Sequence, residues 1–447
     1  MVRKIFNPFI LFLITALFTQ TLLASPLSPK GDSPKERLQK NIRTILETRL
    51  KKSTVSIQIV SLGESGPEVV FEEGAGRLLN PASNIKLVTA AAALDALGPD
   101  YTLPTRFYAD SVQEGWASNL WIKGYGDPLL ITEEVSKIVL QLATLGLRGV
   151  QQNLLVDTSF FDRRSKMTYF SEASGRLYSV LTGALSFNFN RHFRHLNRGV
   201  ALQKATTVGD EMNPAYDEEG SPLQNDLDPG LATGQVFKEA LAKAGIPVLG
   251  EARLAVVPEN AALLYEHRSP PLSEIIRKLN KFSNNFIAEQ LVKILGAVKS
   301  SAPGTTANGL RVMEDYLAKI GIPPHSYIME NGSGLSLENR FSAAQLVQTL
   351  AHAYQNRDYG LSYISSLSIG GVDGTMKRRY RKSSLKGHVL AKTGSLAFVH
   401  CLSGYLVVEN RPFAFSILVN DFQGPKGAVV GAEEKILQAV ADYNRSL

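Results

Sequence analysis

The clearest strand signals in this chain lie at its two ends. Residues 53–60 (STVSIQIV) alternate and are rich in β-branched side chains, so they read as a strand. Glu68–Glu72 can pair with it after the turn at Gly63–Gly66. Far downstream, Val389–Thr393, Cys401–Val408 and Phe413–Val419 read as three successive strands, the last two joined by a turn at Glu409–Pro412. Short antiparallel links of this kind, with helices between, predict one sheet assembled from both termini. The predicted class is α/β (α+β): an antiparallel sheet flanked by helices, with a large inserted domain.

Helical patterns fit that frame. One helix begins near Ser83, after Pro81, runs through Ala90–Ala93 and stops at Gly98-Pro99. Leu272–Leu279 and a segment from near Phe286 form a helical pair, and Ala432–Tyr443 reads as a final helix. A chain of 447 residues exceeds one ordinary core. The expected organisation is a leader (1–24), a first part of the main domain (25–98), an insertion (99–264) and a second part (265–447). Within the insertion, Asp210–Gly234 is acidic and rich in Gly and Pro, which predicts loop.

The first residues read as a signal peptide. Arg3 and Lys4 precede the apolar run Phe9–Phe18, and Ala24-Ser25 offers a cleavage point. The run is short for a bilayer span of about 20 residues. Leu22 is not the small residue preferred before a cut, so an uncleaved anchor is the alternative. The segment has no cysteine for lipid attachment, and no later segment is apolar enough to span a bilayer. An exported location is expected, in the periplasm or outside the cell. The only cysteine, Cys401, leaves no internal disulfide and sits in an apolar stretch that predicts packing. Net charge is +7, and loss of the leader removes only Arg3 and Lys4. That excess suits work near anionic polymers and is too modest to indicate nucleic acid, for which no motif is present.

Three short motifs carry chemistry. In Ser83-Asn84-Ile85-Lys86, residues three apart share a helix face, so Ser83 Oγ and Lys86 Nζ can meet at a helix start. A neutral lysine amine there can take the serine proton, provided burial or a nearby cation lowers its pKa from about 10.4. In Ser283-Asn284-Asn285, between two helices, Ser283 can relay a proton and Asn285 can bind a substrate amide. In Lys392-Thr393-Gly394-Ser395, at a strand end, Lys392 supplies fixed positive charge and two hydroxyls suit a carboxylate. Gly394 lets substrate backbone lie against the strand. The backbone N–H groups of Ser83 and Ser395 can form an oxyanion hole. Each motif alone has an ordinary reading, as a solvated helix start, an N-cap or a strand end.

Ser-x-x-Lys, Ser-x-Asn and Lys-Thr-Gly in this order are the signature set of penicillin-binding proteins and serine β-lactamases. Two hundred residues separate Ser83 from Ser283, room for a whole inserted domain. The chain resembles the class C low-molecular-mass penicillin-binding proteins, the D-alanyl-D-alanine carboxypeptidase/endopeptidase family that includes the type 4 proteins. The resemblance runs through NPASNIKLVTAAAALDALG (80–98), WIKGYGDPLL (121–130), GALSFNFN (183–190), SNNFIAEQLVKILG (283–296), NGSGLSLENR (331–340), GGVDGT (370–375) and LAKTGSLAFVHCLSGY (390–405).

That resemblance implies a split catalytic domain with a smaller domain nested in its insertion. It implies acylation of the serine by the penultimate D-Ala carbonyl, then attack by water, on peptidoglycan peptide stems. It also implies endopeptidase cleavage of D-alanyl cross-links and covalent inhibition by β-lactams, with no cofactor or metal. Asp157 resembles a family Asp that reaches the cleft from the insertion, and Arg340 a family Arg near the cleft; both are expected to bind substrate. An ordinary turn Asp and a structural ion pair are the competing readings. Asn331 stands where the family usually has Asp, and Ser368-Ile369 replaces a Val-Ala pair. The rival functions are a serine β-lactamase, which needs a deacylating base for which no clear Glu is present, and a non-catalytic peptidoglycan-binding scaffold.

Weaker signals have plainer readings. His192 and His195 read as a basic surface loop, and the histidines form no zinc ligand set. Lys377–Lys382 reads as a solvated basic hairpin or loop, with contact to anionic wall polymer as the alternative, and Gly124, Gly126 and Asp127 lack the Lys-Ser/Thr of a phosphate loop.

Overall fold

The computed structural model describes residues 32–63, 66–164, 166–171, 176–190 and 228–446. The expected leader, His192 and His195, and Asp210–Leu227 of the acidic stretch lie outside the described residues.

Helix α1 (Pro34–Arg49) starts with a capping box between Ser33 and Glu36 and buries Leu38, Ile42 and Leu46, spaced one turn apart. Strands β1 (Thr54–Gly63) and β2 (Gly66–Glu73) follow, then a 3₁₀ turn (Ala82–Ile85) that runs into α2 (Lys86–Leu97). Gly98, at φ 82°, ends α2 as expected.

The chain then builds a second sheet. Its strands are β3 (Pro104–Ala109), β6 (Leu120–Gly124), β8 (Leu154–Asp157), β11 (Ala252–Leu254) and β12 (Ala262–Arg268), in the order β11-β8-β6-β3-β12. Two small sheets accompany it: β4 (Val112–Gln113), β5 (Trp116–Ala117) and β7 (Gly149–Val150), and the hairpin β9 (Lys166–Ser171) with β10 (Arg176–Leu181). Helices α3 (Thr132–Thr144) and α4 (Pro229–Lys243) cover the five-stranded sheet. Its core of Phe107, Ile122, Leu154, Phe237 and Leu241 is a cluster of its own.

Two expectations change here. The stretch expected to be loop up to Gly234 is helical from Pro229, because Asp228 caps it by accepting from the N–H groups of Gly230 and Leu231. Strand β12 also runs on to Arg268, past the expected boundary at 264.

From there the chain returns as α5 (Leu272–Phe282), α6 (Asn285–Lys299), α7 (Thr306–Lys319), α8 (Ala343–Gln355) and the short α9 (Gly360–Ser365). Then come β13 (Ser368–Ile369), β14 (Val389–Leu396), β15 (Val399–Val408), β16 (Arg411–Asn420) and α10 (Lys426–Arg445). The first sheet has the order β13-β14-β15-β16-β1-β2 and is antiparallel throughout. It is thus assembled from both ends of the chain, as the sequence predicts.

Helices cover both faces of that sheet, so β15 is buried along almost its whole length. Cys401, Tyr405, Ala414 and Leu418 face the α2 side; Leu402, Leu406, Phe415 and Ile417 face α1 and α10. Cys401 is a free, fully buried thiol, a packing residue as predicted. Helix α2 is apolar nearly all round and sits inside the larger cluster, where Ala90–Ala93 are fully buried. Among the described residues, no helix is long and apolar enough to cross a membrane.

Candidate active site

Ser83 sits in the 3₁₀ turn, not in the α-helix proper. Three residues make one turn of a 3₁₀ helix, so residues i and i+3 eclipse. Lys86 Nζ accordingly lies 2.9 Å from Ser83 Oγ. The turn is fixed from both sides. Asn80 Oδ1 accepts the Ala82 N–H at 2.8 Å, Asn84 Nδ2 donates to Ser403 Oγ at 2.7 Å, and Asn420 Oδ1 accepts the Asn80 N–H at 2.9 Å.

The α5–α6 junction brings the second motif alongside. Asn284 is the N-cap of α6, accepting the Ile287 N–H at 3.0 Å. The capping role falls on Asn284, which leaves Ser283 and Asn285 available to the cleft. Ser283 ends α5 in the left-handed region (φ 56°), and Asn285 Oδ1 accepts from Lys86 Nζ at 2.7 Å. Lys86 Nζ also donates to the Ser333 carbonyl, which lies 3.5 Å from Ser83 Oγ.

The third motif closes the group from β14. Lys392 Nζ donates to Ser283 Oγ and to its neighbour's carbonyl, Thr393 O, each at 2.7 Å. Thr393 Oγ1 donates to Thr375 Oγ1 at 2.9 Å, and Ser395 is exposed at the end of the strand. A Cβ on Gly394 would come within 2.9 Å of Pro81 O and 3.1 Å of Ala82 Cβ. Gly394 therefore lets β14 press against the turn that carries Ser83, a need the sequence did not reveal.

Both lysines are fully buried. Burial pushes the Lys86 amine down to about 7, against an upward pull from the Glu289 carboxylate. Burial, with Lys86 nearby, pushes Lys392 well below its ordinary value. Glu289 is buried too, and burial raises its carboxyl against hydrogen bonds from Ser333.

Asp157 and Arg340 have other hydrogen-bond partners among the described residues. The Asp157 carboxylate is buried and receives Lys123 Nζ at 3.0 Å, the Val257 N–H at 3.0 Å and the Ser159 N–H at 2.9 Å. Burial raises its pKa, and these hydrogen bonds outweigh that and lower it overall. Arg340 donates to the carbonyls of Leu337 and Asn339, stapling its own loop, and forms no ion pair among the described residues. Asn331 serves as an acceptor, taking the Gly334 N–H at 3.0 Å and Asn339 Nδ2 at 2.8 Å, as an Asp there also would.

Two contributors escaped the sequence reading. Ser333 acts through its backbone carbonyl, which no side-chain motif announces. Glu289 lies one turn after Asn285, inside a run that otherwise reads as buried helix face.

The profile of the D-Ala-D-Ala carboxypeptidase 3 (S13) family matches residues 38–198 and 217–438. The chain belongs to that family. It is accordingly a serine-type DD-peptidase, a hydrolase. The D-alanyl-D-alanine carboxypeptidase of Actinomadura sp. (strain R39) is 31% identical, over 96% of this chain and 89% of its own. D-alanyl-D-alanine carboxypeptidase DacB of Haemophilus influenzae is 24% identical, over 79% of this chain and 83% of its own. The fold is that of penicillin binding protein 4 (dacB) from Haemophilus influenzae, at a TM-score of 0.73 and 21% identity, covering 90% of this chain and 99% of that one. A predatory endopeptidase of Bdellovibrio bacteriovorus superposes with a TM-score of 0.55 at 17% identity, covering 87% of this chain and 92% of its own.

Proposed function

We propose that this DD-peptidase works through an acyl-enzyme on Ser83, with Lys86 as the general base, on peptidoglycan stems and their D-alanyl cross-links. The observation that carries this reading is the 2.9 Å contact between Ser83 Oγ and a fully buried lysine amine brought down to about 7. A neutral amine at that distance is a base poised at working pH.

In the acylation step the Ser83 Oγ proton passes to Lys86 Nζ as Oγ attacks the penultimate D-Ala carbonyl. The oxyanion forms opposite the backbone N–H groups of Ser83 and Ser395. The C–N bond then breaks as Ser283, hydrogen-bonded to Lys392, relays a proton to the leaving amine, and the proton that Lys86 took from Ser83 replaces the one Ser283 gives up. Asn285 contacts the substrate amide while it holds Lys86. Thr393 and Ser395 bind the terminal carboxylate, whose charge draws Lys392 into its protonated form. Water then cleaves the ester and restores Ser83.

The same serine is the site of β-lactam acylation in this proposal. Among proteins of this fold, penicillin binding protein 4 from Haemophilus influenzae is known complexed with a β-lactam, and the Bdellovibrio endopeptidase as a penicillin G acylated form. Two sheets with separate cores support a domain division in which an insertion, from residue 99 to the end of β12 at Arg268, is nested between two parts of a catalytic domain. Peptidoglycan as substrate requires export, which the basic and apolar N-terminus fits.

The test is intact mass after incubation with benzylpenicillin, on wild type and Ser83→Ala. A stable one-to-one adduct on wild type alone supports the reading, as does loss of D-Ala release in the variant. Turnover near wild type in Ser83→Ala overturns it, and rapid penicillin hydrolysis in place of an adduct favours a β-lactamase.

A further inference from the structure

Lys86 Nζ has three oxygen neighbours: Ser83 Oγ, Asn285 Oδ1 and the Ser333 carbonyl. One helix face arranges two of them. Asn285 reaches Lys86 directly. Glu289 lies four residues further along α6, on the same face, and its Oε1 accepts the Ser333 N–H at 2.9 Å. The Ser333 peptide is thus held at its N–H by Glu289, while its carbonyl faces both Lys86 and Ser83.

Glu289 is fully buried, and its second oxygen, Oε2, has no hydrogen-bond partner among the described residues. A carboxylate in that position is costly unless a cation offsets it. Among the described residues, the charged groups that interact with Lys86 are Glu289 from α6 and Lys392 from β14. Lys281, at the end of α5, is paired with Asp373 at 2.6 Å. Among the described residues, Glu289 is the carboxylate that pulls the Lys86 amine towards its charged form.

We propose that Glu289 is a positioning residue for the Ser83–Lys86 pair: it fixes the Ser333 peptide that receives Lys86, and its carboxylate balances the ammonium formed when Lys86 takes the serine proton. Glu289 itself exchanges no proton. The charge is in place before the reaction, so the protein does not reorganise when the ammonium appears. This role rests on Ser83 and Lys86 acting as proposed above.

The experiment is the pH dependence of benzylpenicillin acylation in wild type, Glu289→Gln and Glu289→Asp. Glutamine keeps an acceptor for the Ser333 N–H and removes the charge. Burial then acts on Lys86 without the pull of Glu289, and pushes it down. The acid limb should move to lower pH by on the order of one unit, and the plateau rate should fall about tenfold. Aspartate keeps the charge and should leave the acid limb near its wild-type position, with a lower plateau. A purely structural glutamate predicts lower plateaus in both variants with the acid limb unmoved, and that result overturns the proposal. Should Glu289→Gln fail to fold, the carboxyl ¹³C signals of labelled wild type decide. A buried glutamate ionised across the acylation plateau supports the role, and one still protonated there overturns it. If wild type forms no penicillin adduct, the parent reading has failed; if it does and the limb stays, only this inference has.

Discussion

Asn285 Oδ1 accepts a hydrogen bond from Lys86 Nζ at 2.7 Å across 199 residues of chain. This contact ties the first motif to the second over the whole inserted segment. It also leaves the lysine with one lone pair aimed at Ser83 when the amine is neutral. Asn285→Ala should slow acylation by about 10- to 100-fold, the equivalent of one hydrogen bond to a charged group. Stopped-flow acylation with a chromogenic β-lactam measures it. A rate within a factor of about two of wild type would show that Asn285 does not orient the base.

The pH dependence follows from the state of Lys86. Its amine is brought down to about 7, and only the neutral form can take the Ser83 proton. Acylation should therefore be near its plateau above pH 7 and fall about tenfold per unit well below it, as protonation removes the base. An acid limb centred near 4 would point to a carboxylate base and displace Lys86 from the role.

The sheet built from both termini was legible because its strands are long and bounded by turns, with Glu409 and Asn410 both in the left-handed region of the last hairpin. The three motifs were legible because each pairs chemistry with a local context. What stayed hidden depends on distant partners. The resemblance points to Asp157 as a substrate contact, and the sequence alone does not show that Lys123 on β6 and the Val257 N–H bind its carboxylate. Arg340 has no acidic partner among the described residues and is used on nearby carbonyls. Pro229–Lys243 was masked by Gly and Pro residues that serve there as a helix start and as close packing against Val156.

Gly394 carries a packing prediction. Its Cβ would meet a backbone oxygen, Pro81 O, at 2.9 Å, and backbone cannot swing aside as a flexible side chain can. Gly394→Ala should destabilise by about 1–3 kcal/mol and displace the Ser83 turn relative to Lys392. Thermal unfolding and acylation rate should fall together. A variant as stable and as fast as wild type would mean that β14 and the turn can separate without loss.

The last prediction concerns the support behind β15. His400 pairs with Ser395 across the β14–β15 ladder, and its Nδ1 lies 2.8 Å from Glu433 Oε1 on α10. Glu433 is fully buried and also faces Arg379 at 3.0 Å, which in turn reaches Glu434 at 3.2 Å. Replacing Glu433 by leucine leaves a largely buried guanidinium with Glu434 as its one remaining acidic partner among the described residues. The expected cost is about 3 kcal/mol, the low end for breaking a buried pair, because Glu434 remains. The midpoint of urea unfolding should drop, and Glu433→Gln should recover part of it by still accepting from His400. Penicillin acylation should weaken as the strand carrying Ser395 loses its backing. A leucine variant with an unchanged midpoint would mean that Arg379 reaches solvent freely, and that α10 is not what holds β15 in place.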